Sequence, residues 1–326
     1  MPVYNAAFYL EDCLNSILAQ SFKDWELIAV DDFSTDDSAK LLQEYSKEDP
    51  RIHCLQNTTK GIIPALRNAY ASSKGQYIHR MDADDLMPEQ KLDLMFAEIE
   101  KHGKGHLITG LVEYFSASGI GDGYFNYQEW LNELCMKNHH WDEIYKECVI
   151  ASPCWMLPRD DLDACNAFKS DLYPEDYDLV FRFYKQNLKV ISVLQVLHLW
   201  RDHPERSSRT QEHYQENTFY EIKTHYFMEL DYQPGKTLII WGAGKKGKLL
   251  ARILKKRGVN FQWVSNNPNK EGKAIYGALM EDYTQIVHKN HPQILITVAQ
   301  KEAKEEIMQF MQSNQLVENE DFYFFS

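Results

Sequence analysis

Residues 81–85 (MDADD) place three carboxylates between a short apolar run, residues 77–78, and a helix that Pro88 is expected to open. Carboxylate oxygens are ligands that Mg²⁺ and Mn²⁺ prefer, and such sites often share the metal with a substrate's phosphates. Because side chains alternate along a strand, we expect Asp82 and Asp84 to point the same way. The spacing predicts a divalent-metal site for a phosphate-linked substrate; a loop in which Asp84 or Asp85 merely caps the next helix is the alternative.

A second acidic run follows another apolar segment. Residues 27–30 (LIAV) are predicted to form a strand buried on both faces, and residues 31–38 (DDFSTDDS) follow it directly. The surrounding segments alternate between predicted strands and helices; the strands are at 52–55, 77–79 and 107–114, and the helices are near 9–22, 41–45, 62–72 and 92–99. This alternation is typical of a mostly parallel, doubly wound α/β sheet, whose ligands bind beyond the carboxyl ends of the strands. Both acidic runs fall at that edge, so we expect them to form one site.

Composition restricts the classes of function. The 326 residues carry a formal net charge of −13, which argues against a general affinity for nucleic acid or anionic lipid. No segment approaches the ~20 apolar residues of a membrane span, and no secretory leader is recognisable. The 6 cysteines show neither a C-x-x-C pair nor a zinc-like spacing with histidines. We therefore expect a soluble, cytoplasmic protein with reduced thiols, and association with the inner face of the membrane as a peripheral protein stays open.

Three motifs, in this order, resemble those of family 2 glycosyltransferases with the GT-A fold: PVYNAAFYLEDCLNSILAQSFKDWELIAVDDFSTDDS, KGIIPALRN and MDADDLMP. The resemblance covers the first two thirds of the chain. It implies an inverting, metal-dependent transfer of a sugar from a nucleotide-diphospho-sugar, with UDP as the expected nucleotide. The implied acceptor is a glycan or a lipid-linked glycan, and the implied setting is cell-surface polysaccharide biosynthesis.

The resemblance also implies roles for individual donor-binding residues. Pro2 and Tyr4 correspond to residues that line the base pocket, and Asp32 to a carboxylate that accepts a hydrogen bond from the base N3–H. Arg67 falls in a motif whose guanidinium serves the base or the diphosphate; an ordinary surface position on its helix is the alternative. Asp82 corresponds to the first carboxylate of the D-x-D motif and is expected to contact the donor.

The implied metal ligands and general base lie in later motifs. Asp84 is the expected direct ligand of Mn²⁺ or Mg²⁺, with Asp85 a weaker candidate. Residues 200–209 (WRDHPERSSR) resemble the family's Y-R-x-H-x-x-S segment, in which His203 completes the metal site or contacts the diphosphate, and Arg201 or Arg209 neutralises it. Residues 175–178 (EDYD) resemble the E-D motif, so Asp176 is the expected general base; a carboxylate that only complements a helix dipole is the alternative.

The sequence departs from the family pattern in three places. Members carry an apolar strand before the P-V-Y-N motif, where this sequence has only Met1, and we expect a truncated start rather than an open central position in the sheet. Residues 166–168 read NAF in place of G-G-F. Residues 116–124 are expected to be a lid or acceptor edge, and residues 125–148 cannot be assigned.

A second, smaller domain is predicted at the end of the chain. The sequence QPG at 233–235 predicts a boundary between a transferase domain, residues 1–232, and a Rossmann-like domain, residues 236–326. The turn 242–247 (GAGKKG) has the spacing that lets a phosphate approach a helix N-terminus. However, the next strand ends in SNN at 265–267, where an NAD site would have an acidic residue. We therefore expect a packing or assembly module that does not bind NAD, with homo-oligomerisation through it left open.

The sequence thus predicts a glycosyltransferase whose partners are a nucleotide sugar and a glycan or lipid-linked acceptor. Two alternatives remain open: a catalytically inactive nucleotide-binding or scaffold protein, and an NAD-dependent oxidoreductase acting through the glycine turn. The presence of Asp32, Asp84 and Asp176 argues against the first, and the missing acidic residue argues against the second.

Overall fold

The computed structural model describes residues 1–117, 119–206, 209 and 216–326, without the side chains of 216–218. The chain divides into two compact units. The first comprises Met1–His140 and Val149–Thr210, and the second comprises Trp141–Cys148 and Gln211–Ser326. The boundary expected at residues 233–235 therefore lies inside the second unit.

The first unit alternates strands and helices along most of its length. Its elements are β1 (Pro2–Val3), α1 (Ala7–Leu18), β2 (Leu27–Asp31), α2 (Ser38–Glu48), β3 (Ile52–Gln56), α3 (Ile62–Ser72), β4 (Tyr77–His79), α4 (Lys91–His102), β5 (His106–Phe115), α5 (Asp122–Lys137), β6 (Trp155–Pro158), α6 (Arg159–Ala164), α7 (Glu175–Lys185) and β7 (Lys189–Arg201). The helix α1 buries Leu10, Cys13, Leu14 and Ile17, which recur at helical spacing.

Two sheets form the centre of the first unit. One has the order β1-β2-β3 with parallel pairing, and the other has the order β4-β6-β5-β7. In the second sheet β5 and β7 are parallel, and β6 is antiparallel to both β4 and β5. The prediction of a mostly parallel α/β fold is confirmed. The strand β6 was missed because all four of its residues are buried, which leaves no alternating pattern to recognise.

Strand ends bring the polar runs of the first unit to one edge. The strand β2 ends at Asp31 and β3 at Gln56, and the acidic run 81–85 follows β4. Leu86 forms a bridge with Leu199 near the end of β7, so the acidic run also lies beside that strand. A separate cavity of about 720 Å³ is lined by Leu27, Ile28 and residues 73–81 among others, but by none of the predicted donor or metal carboxylates.

The second unit is built on a single sheet of order β10-β11-β9-β8-β12-β13. Its elements are α8 (Glu216–Leu230), β8 (Thr237–Trp241), α9 (Lys245–Lys256), β9 (Gln262–Ser265), β10 (Ala274–Ile275), β11 (Ala278–Asp282), β12 (Pro292–Ile296), α10 (Lys301–Ser313) and β13 (Phe322–Phe324). Pairing is parallel except between β10 and β11. The sheet thus has six strands, three more than the apolar runs 238–241, 261–264 and 294–298 predict from the sequence.

Residues outside 236–326 complete the core of the second unit. Tyr145 stacks on Phe325 at a ring-centroid distance of 5.3 Å, and Phe227 packs against the same ring at 5.6 Å. Lys223 Nζ donates to Lys146 O at 2.6 Å, and Tyr220 Oη donates to Phe325 O at 3.0 Å. The segment 141–148, left unassigned from sequence, is thus a structural part of this unit. No described helix is long and apolar enough to cross a membrane.

Candidate active site

The acidic run forms a turn rather than the end of a strand. The strand β4 ends at His79, and Asp85 N donates to Asp82 O at 3.4 Å. The expected strand alternation therefore does not set the directions of these side chains. Asp82 and Asp84 remain partly exposed, at 24% and 25% of their side-chain surface, while Asp85 is turned into the core.

Asp85 belongs to a buried polar chain beneath the site. Its Oδ2 lies 3.0 Å from His198 Nε2, and Lys91 Nζ lies 3.2 Å from His198 Nδ1 and donates to Pro153 O at 2.8 Å. Burial, and then the charge of Asp84, raises the pKa of Asp85 well above its usual range. Burial likewise lowers the pKa of His198 well below its usual range and that of Lys91 to about 8. Asp85 therefore supports the turn from inside and does not face the crevice as a metal ligand.

Arg80 joins the acidic turn to the start of α7. Its Nε donates to Asp82 Oδ1 at 3.0 Å and its Nη1 donates to Glu175 Oε1 at 3.2 Å, and its side chain is 5% exposed. A guanidinium can serve two carboxylates at once because its donors are arranged in a rigid fork. Asp82 and Glu175 are therefore held by one buried cation, and the E-D motif is placed beside the D-x-D motif.

Asp176 lies one residue further along α7. Its Oδ1 accepts the backbone N–H of Tyr177 at 2.8 Å, and no other hydrogen bond reaches this carboxylate from the described residues. Burial, and then the neighbouring charge of Glu175, raises the pKa of Asp176 to about 7, against the lowering effect of Arg80. Consecutive helical residues point about 100° apart. Glu175 is thus committed to Arg80, while Asp176 is available to a substrate.

Asp84 is paired with His203, the other residue predicted for the metal site. The Asp84 Oδ2 to His203 Nε2 distance is 2.9 Å, and Tyr9 packs on the imidazole at a ring-centroid distance of 4.4 Å. Burial alone would raise the pKa of Asp84, but the His203 hydrogen bond and the charge of Arg206 hold it below its usual range. His203 Nδ1 is buried without a hydrogen-bond partner among the described residues. The site thus presents one ionised carboxylate and one imidazole side by side.

Arg201 makes two hydrogen bonds to the acidic turn and one to α1. Its backbone N donates to Asp85 Oδ1 at 2.8 Å, its Nε donates to Asp84 O at 2.8 Å and its Nη2 donates to Asp12 Oδ2 at 3.0 Å. The guanidinium also lies 5.0 Å from the centroid of the Tyr9 ring. Arg209, the alternative cation from the same segment, is paired with Asp202 at 2.8 Å. Of the two arginines, Arg201 is the one that the structure places beside Asp84.

Asp32, the predicted partner of the base, is held by two neighbouring groups. Its carboxylate accepts hydrogen bonds from Asn57 Nδ2 at 2.6 Å and from Gly61 N at 2.9 Å, and the residue is 6% exposed. Tyr4 is 48% exposed, and Lys60 Nζ donates to its hydroxyl at 3.3 Å. A carboxylate has about four lone-pair positions, so Asp32 keeps acceptor capacity for a base.

The two other predicted donor residues near the start of the chain, Pro2 and Arg67, lie in different surroundings. Pro2 lies in β1, paired with Val30, where its ring can only form a wall. Arg67 donates to three backbone carbonyls of residues 168–170 and to Asp171 Oδ1 at 2.6 Å. Its guanidinium therefore anchors the loop before α7 and lies away from the acidic turn. A direct contact between Arg67 and the diphosphate stays a prediction that would require this loop to move.

Several site residues were missed from the sequence. Arg80, Asn57 and Lys60 all follow or flank strand ends at the same edge as the acidic runs, and that position was a usable signal. Arg206 was not recognisable: it is 9% exposed and stacks over Trp200 at 4.7 Å, which depends on tertiary packing. No group of three or more His, Cys, Asp or Glu side chains in the described residues has the geometry of a complete metal site.

Comparison with known proteins identifies the family. The model of glycosyl transferase family 2 matches residues 1–165, about half of the chain, and the chain belongs to that family. Glycosyltransferase GlyG of Streptococcus pneumoniae serotype 4 is 26% identical over 207 residues, which cover 62% of this chain and 69% of GlyG. Several other curated relatives match over 30 to 42% of their own length.

Two solved structures share the fold of this chain. Staphylococcus aureus TarS 1-349 in complex with UDP superposes with a TM-score of 0.52 and 17% identity, covering 78% of this chain and 70% of that one. The mannosyltransferase PcManGT from Pyrobaculum calidifontis, in complex with GDP-Man and Mn²⁺, has a TM-score of 0.50 and 16% identity, covering 78% and 67%. The GT-A fold expected from the motifs is confirmed.

Replacement of Arg80 by Met tests the bridge between the two acidic motifs. The substitution keeps an unbranched side chain but leaves Asp82 and Glu175 without their shared cation. Removing one partner of a buried ion pair costs about 3–5 kcal/mol, and we expect a loss of that order in the free energy of unfolding, measured by urea denaturation.

The matched control is Lys104→Met, which removes an exposed ion pair with Asp160. Such pairs contribute about 0–1 kcal/mol. Equal, small losses of stability in both variants would show that Arg80 does not stabilise the charges of Asp82 and Glu175.

Proposed function

We propose that the first unit transfers a sugar with inversion from a UDP-sugar, using a divalent cation and Asp176 as general base. The observation that carries this proposal is the separation of roles among neighbouring carboxylates. Asp84 is ionised and paired with His203, Glu175 is neutralised by Arg80, and Asp176 has a raised pKa with no side-chain partner among the described residues. An inverting transfer needs these two kinds of group, one for the leaving diphosphate and one for the attacking hydroxyl.

Asp84 and His203 fit a divalent cation that is completed by the donor. An oxygen ligand and an imidazole nitrogen 2.9 Å apart are suited to Mn²⁺, and Mg²⁺ or Mn²⁺ commonly takes one or two protein ligands plus substrate phosphates. The GDP-Man complex of PcManGT also contains Mn²⁺, which supports a metal of this kind. A bound cation would neutralise negative charge on the departing diphosphate.

The polar pocket around Asp32 favours uracil as the base. An ionised carboxylate only accepts hydrogen bonds, and the N3–H of uracil is a donor. Asn57 and Gly61 hold the carboxylate in a fixed orientation, and Tyr4 with Lys60 borders the pocket on its exposed side. Uridine diphosphate bound to TarS supports the same nucleotide. The acceptor is proposed to be a glycan or a lipid-linked glycan of a cell-surface polysaccharide, as the family resemblance implies.

Asp176 would take the proton of the acceptor hydroxyl as that oxygen attacks the anomeric carbon. Its position in the first turn of α7 fixes it on a rigid element, because Tyr177, Val180, Phe181 and Phe183 are buried. A general base is most effective when its pKa lies near the working pH. The raised pKa of Asp176, about 7, therefore suits the role.

The replacement Asp84→Asn tests the metal site. It removes one charge and little volume, so folding should survive while the metal-dependent affinity for UDP falls. Replacing a residue that only supports a metal ligand commonly costs about 10- to 100-fold in affinity, and for a direct ligand we expect at least that loss by calorimetry with UDP and Mn²⁺.

Asp160→Asn, an exposed carboxylate outside the site, serves as the matched control and should bind as the parent protein does. Unchanged metal-dependent UDP affinity in Asp84→Asn would show that the metal is held elsewhere. A protein that binds UDP but transfers to no acceptor would favour the inactive, nucleotide-binding alternative.

The replacement Asp176→Asn tests the general base. We expect UDP and metal binding to be normal and turnover to fall by about 10²- to 10⁴-fold, the usual contribution of a positioned base. In the parent protein kcat/KM should rise with pH and level off above about 7, because the carboxylate must be deprotonated to act. This rise should be absent from the residual activity of the variant.

A stability measurement separates this role from a structural one. Since the folded-state pKa of Asp176 lies above the value of about 3.9 in an unfolded chain, the native state binds the proton more tightly and loses stability as pH rises from about 4 to about 7. In Asp176→Asn, the free energy of unfolding should therefore fall less between about pH 4 and pH 7 than it does in the parent protein. Near-normal turnover in Asp176→Asn together with a large loss in Glu175→Gln would reassign the base to Glu175.

A further inference from the structure

The second unit contains a cavity of about 690 Å³. It is lined by the turn 242–246 after β8 and by the residues that follow β9 and β12. These three strands are parallel neighbours, and ligands of open α/β sheets bind beyond the carboxyl ends of such strands. Small-molecule sites commonly enclose about 300–1,000 Å³. The cavity thus has the position and size of a small-molecule site.

Packing explains two of the three glycines in the turn but not the third. A Cβ at Gly242, whose φ is +126°, would lie 2.5 Å from Thr297 Oγ1, and a Cβ at Gly247 would lie 2.0 Å from Gly242 O. Gly244 has an ordinary φ of −80°, and a Cβ there would meet nothing within 4 Å. Gly244 is the N-cap of α9, where glycine is also favoured without a ligand, and its lack of a side chain leaves the backbone open to close approach by a ligand.

The charges at the start of α9 are unfavourable without an anion. The helix begins with Lys245 and Lys246, and its first turn contains no acidic residue. The N-terminus of a helix carries a partial positive charge, so two lysines there raise its energy. Lys270 is the third charged residue of the lining, and no carboxylate is among the described residues that line the cavity. An anionic group would relieve this excess of positive charge.

Two polar groups near the cavity, the ammonium of Lys304 and the hydroxyl of Ser265, have no hydrogen-bond acceptor within the described ranges. Lys304 does not line the cavity but follows the lining residue Ala303; its Nζ has no ion-pair or hydrogen-bond partner in the described part of the chain and lies 5.8 Å from the Phe324 ring centroid, and burial, and then the charges of Lys146 and Lys246, lower its pKa to about 8. Ser265 is 5% exposed and lines the cavity, and its Oγ accepts the N–H of Asn267 at 3.1 Å. The hydroxyl proton of Ser265 has no acceptor among the described residues. Ser265 can donate to an anion in the cavity, and Lys304 adds positive charge beside it.

We propose that this cavity binds a nucleoside phosphate, with the phosphate at the N-terminus of α9 beside Gly244 and Lys246. The volume exceeds what a phosphate ion alone would fill, and the neutral amides of Asn266, Asn267 and Gln300 can bond to hydroxyl and base groups. A dinucleotide is disfavoured because β9 ends in Ser265 and is followed by amides, with no acidic residue for a ribose. The glycine turn is then a ligand-binding element and not only a packing device. This inference does not depend on the proposed function of the first unit.

The test is calorimetry on the full chain with UMP, AMP, inorganic phosphate and NADH, in EDTA so that metal-dependent binding does not contribute. At least one mononucleotide should bind about tenfold or more tightly than inorganic phosphate, since its sugar and base add contacts. Lys246→Glu should weaken that binding by about tenfold or more, the scale of one charge-assisted hydrogen bond. Gly244→Val, which occupies the open space over the turn, should abolish it.

Two matched controls separate the site from general effects. Lys256→Glu makes the same charge change on an exposed residue at the other end of α9, and Gly235→Val adds a side chain where nothing lies within 4 Å. Both variants should bind as the parent protein does. The proposal is overturned if no mononucleotide binds, if NADH binds more tightly than either mononucleotide, or if Gly244→Val and Lys246→Glu bind no differently from their controls.

Discussion

The first unit is organised by the cost of placing several carboxylates at one partly buried edge. Asp82, Asp84, Glu175 and Asp176 converge there from two distant stretches of sequence, and Asp85 is buried directly beneath them. Like charges in a medium of low dielectric constant cannot all ionise without nearby cations. Arg80 meets this requirement for Asp82 and Glu175 with contacts of 3.0 and 3.2 Å, and it thereby ties the turn after β4 to the start of α7.

The remaining carboxylates have different neighbours, and their pKa values differ accordingly. Asp85 is removed from the edge and placed against His198 and Lys91, where its raised pKa limits the charge buried in the core. Asp84 is kept ionised beside His203, as a metal ligand must be. Asp176 receives no such partner, and its pKa is raised. One electrostatic constraint thus leaves one carboxylate ionised and another with a raised pKa, and in the proposed mechanism the first serves the diphosphate and the second the acceptor.

Much of this could be predicted from the sequence because it depends on local patterns. The apolar runs before Asp31 and Asp82, and the helical spacing around Leu10, locate strands and helices that the structure contains. The pairing of Asp84 with His203, 119 residues apart, was anticipated only through the family motifs. The roles of Arg80 and Arg206, the inward turn of Asp85 and the diversion of Arg67 to the loop at 168–171 depend on tertiary contacts, which no local spacing encodes. Three strands of the second sheet were missed: β10 and β13 are only two and three residues long, and β11 reads ALMED, in which apolar and polar residues do not alternate.

The central claim is that the edge formed by the acidic turn and the start of α7 holds a nucleotide diphosphate through a divalent cation. It is tested most directly by a crystal structure of the chain with UDP and Mn²⁺, with diffraction data collected at the manganese absorption edge. The account predicts an anomalous peak within coordination distance of Asp84 and His203 and in contact with both phosphates, with the uracil N3–H donating to Asp32. An anomalous peak at another place, or UDP bound with its phosphates away from Asp84, would contradict it.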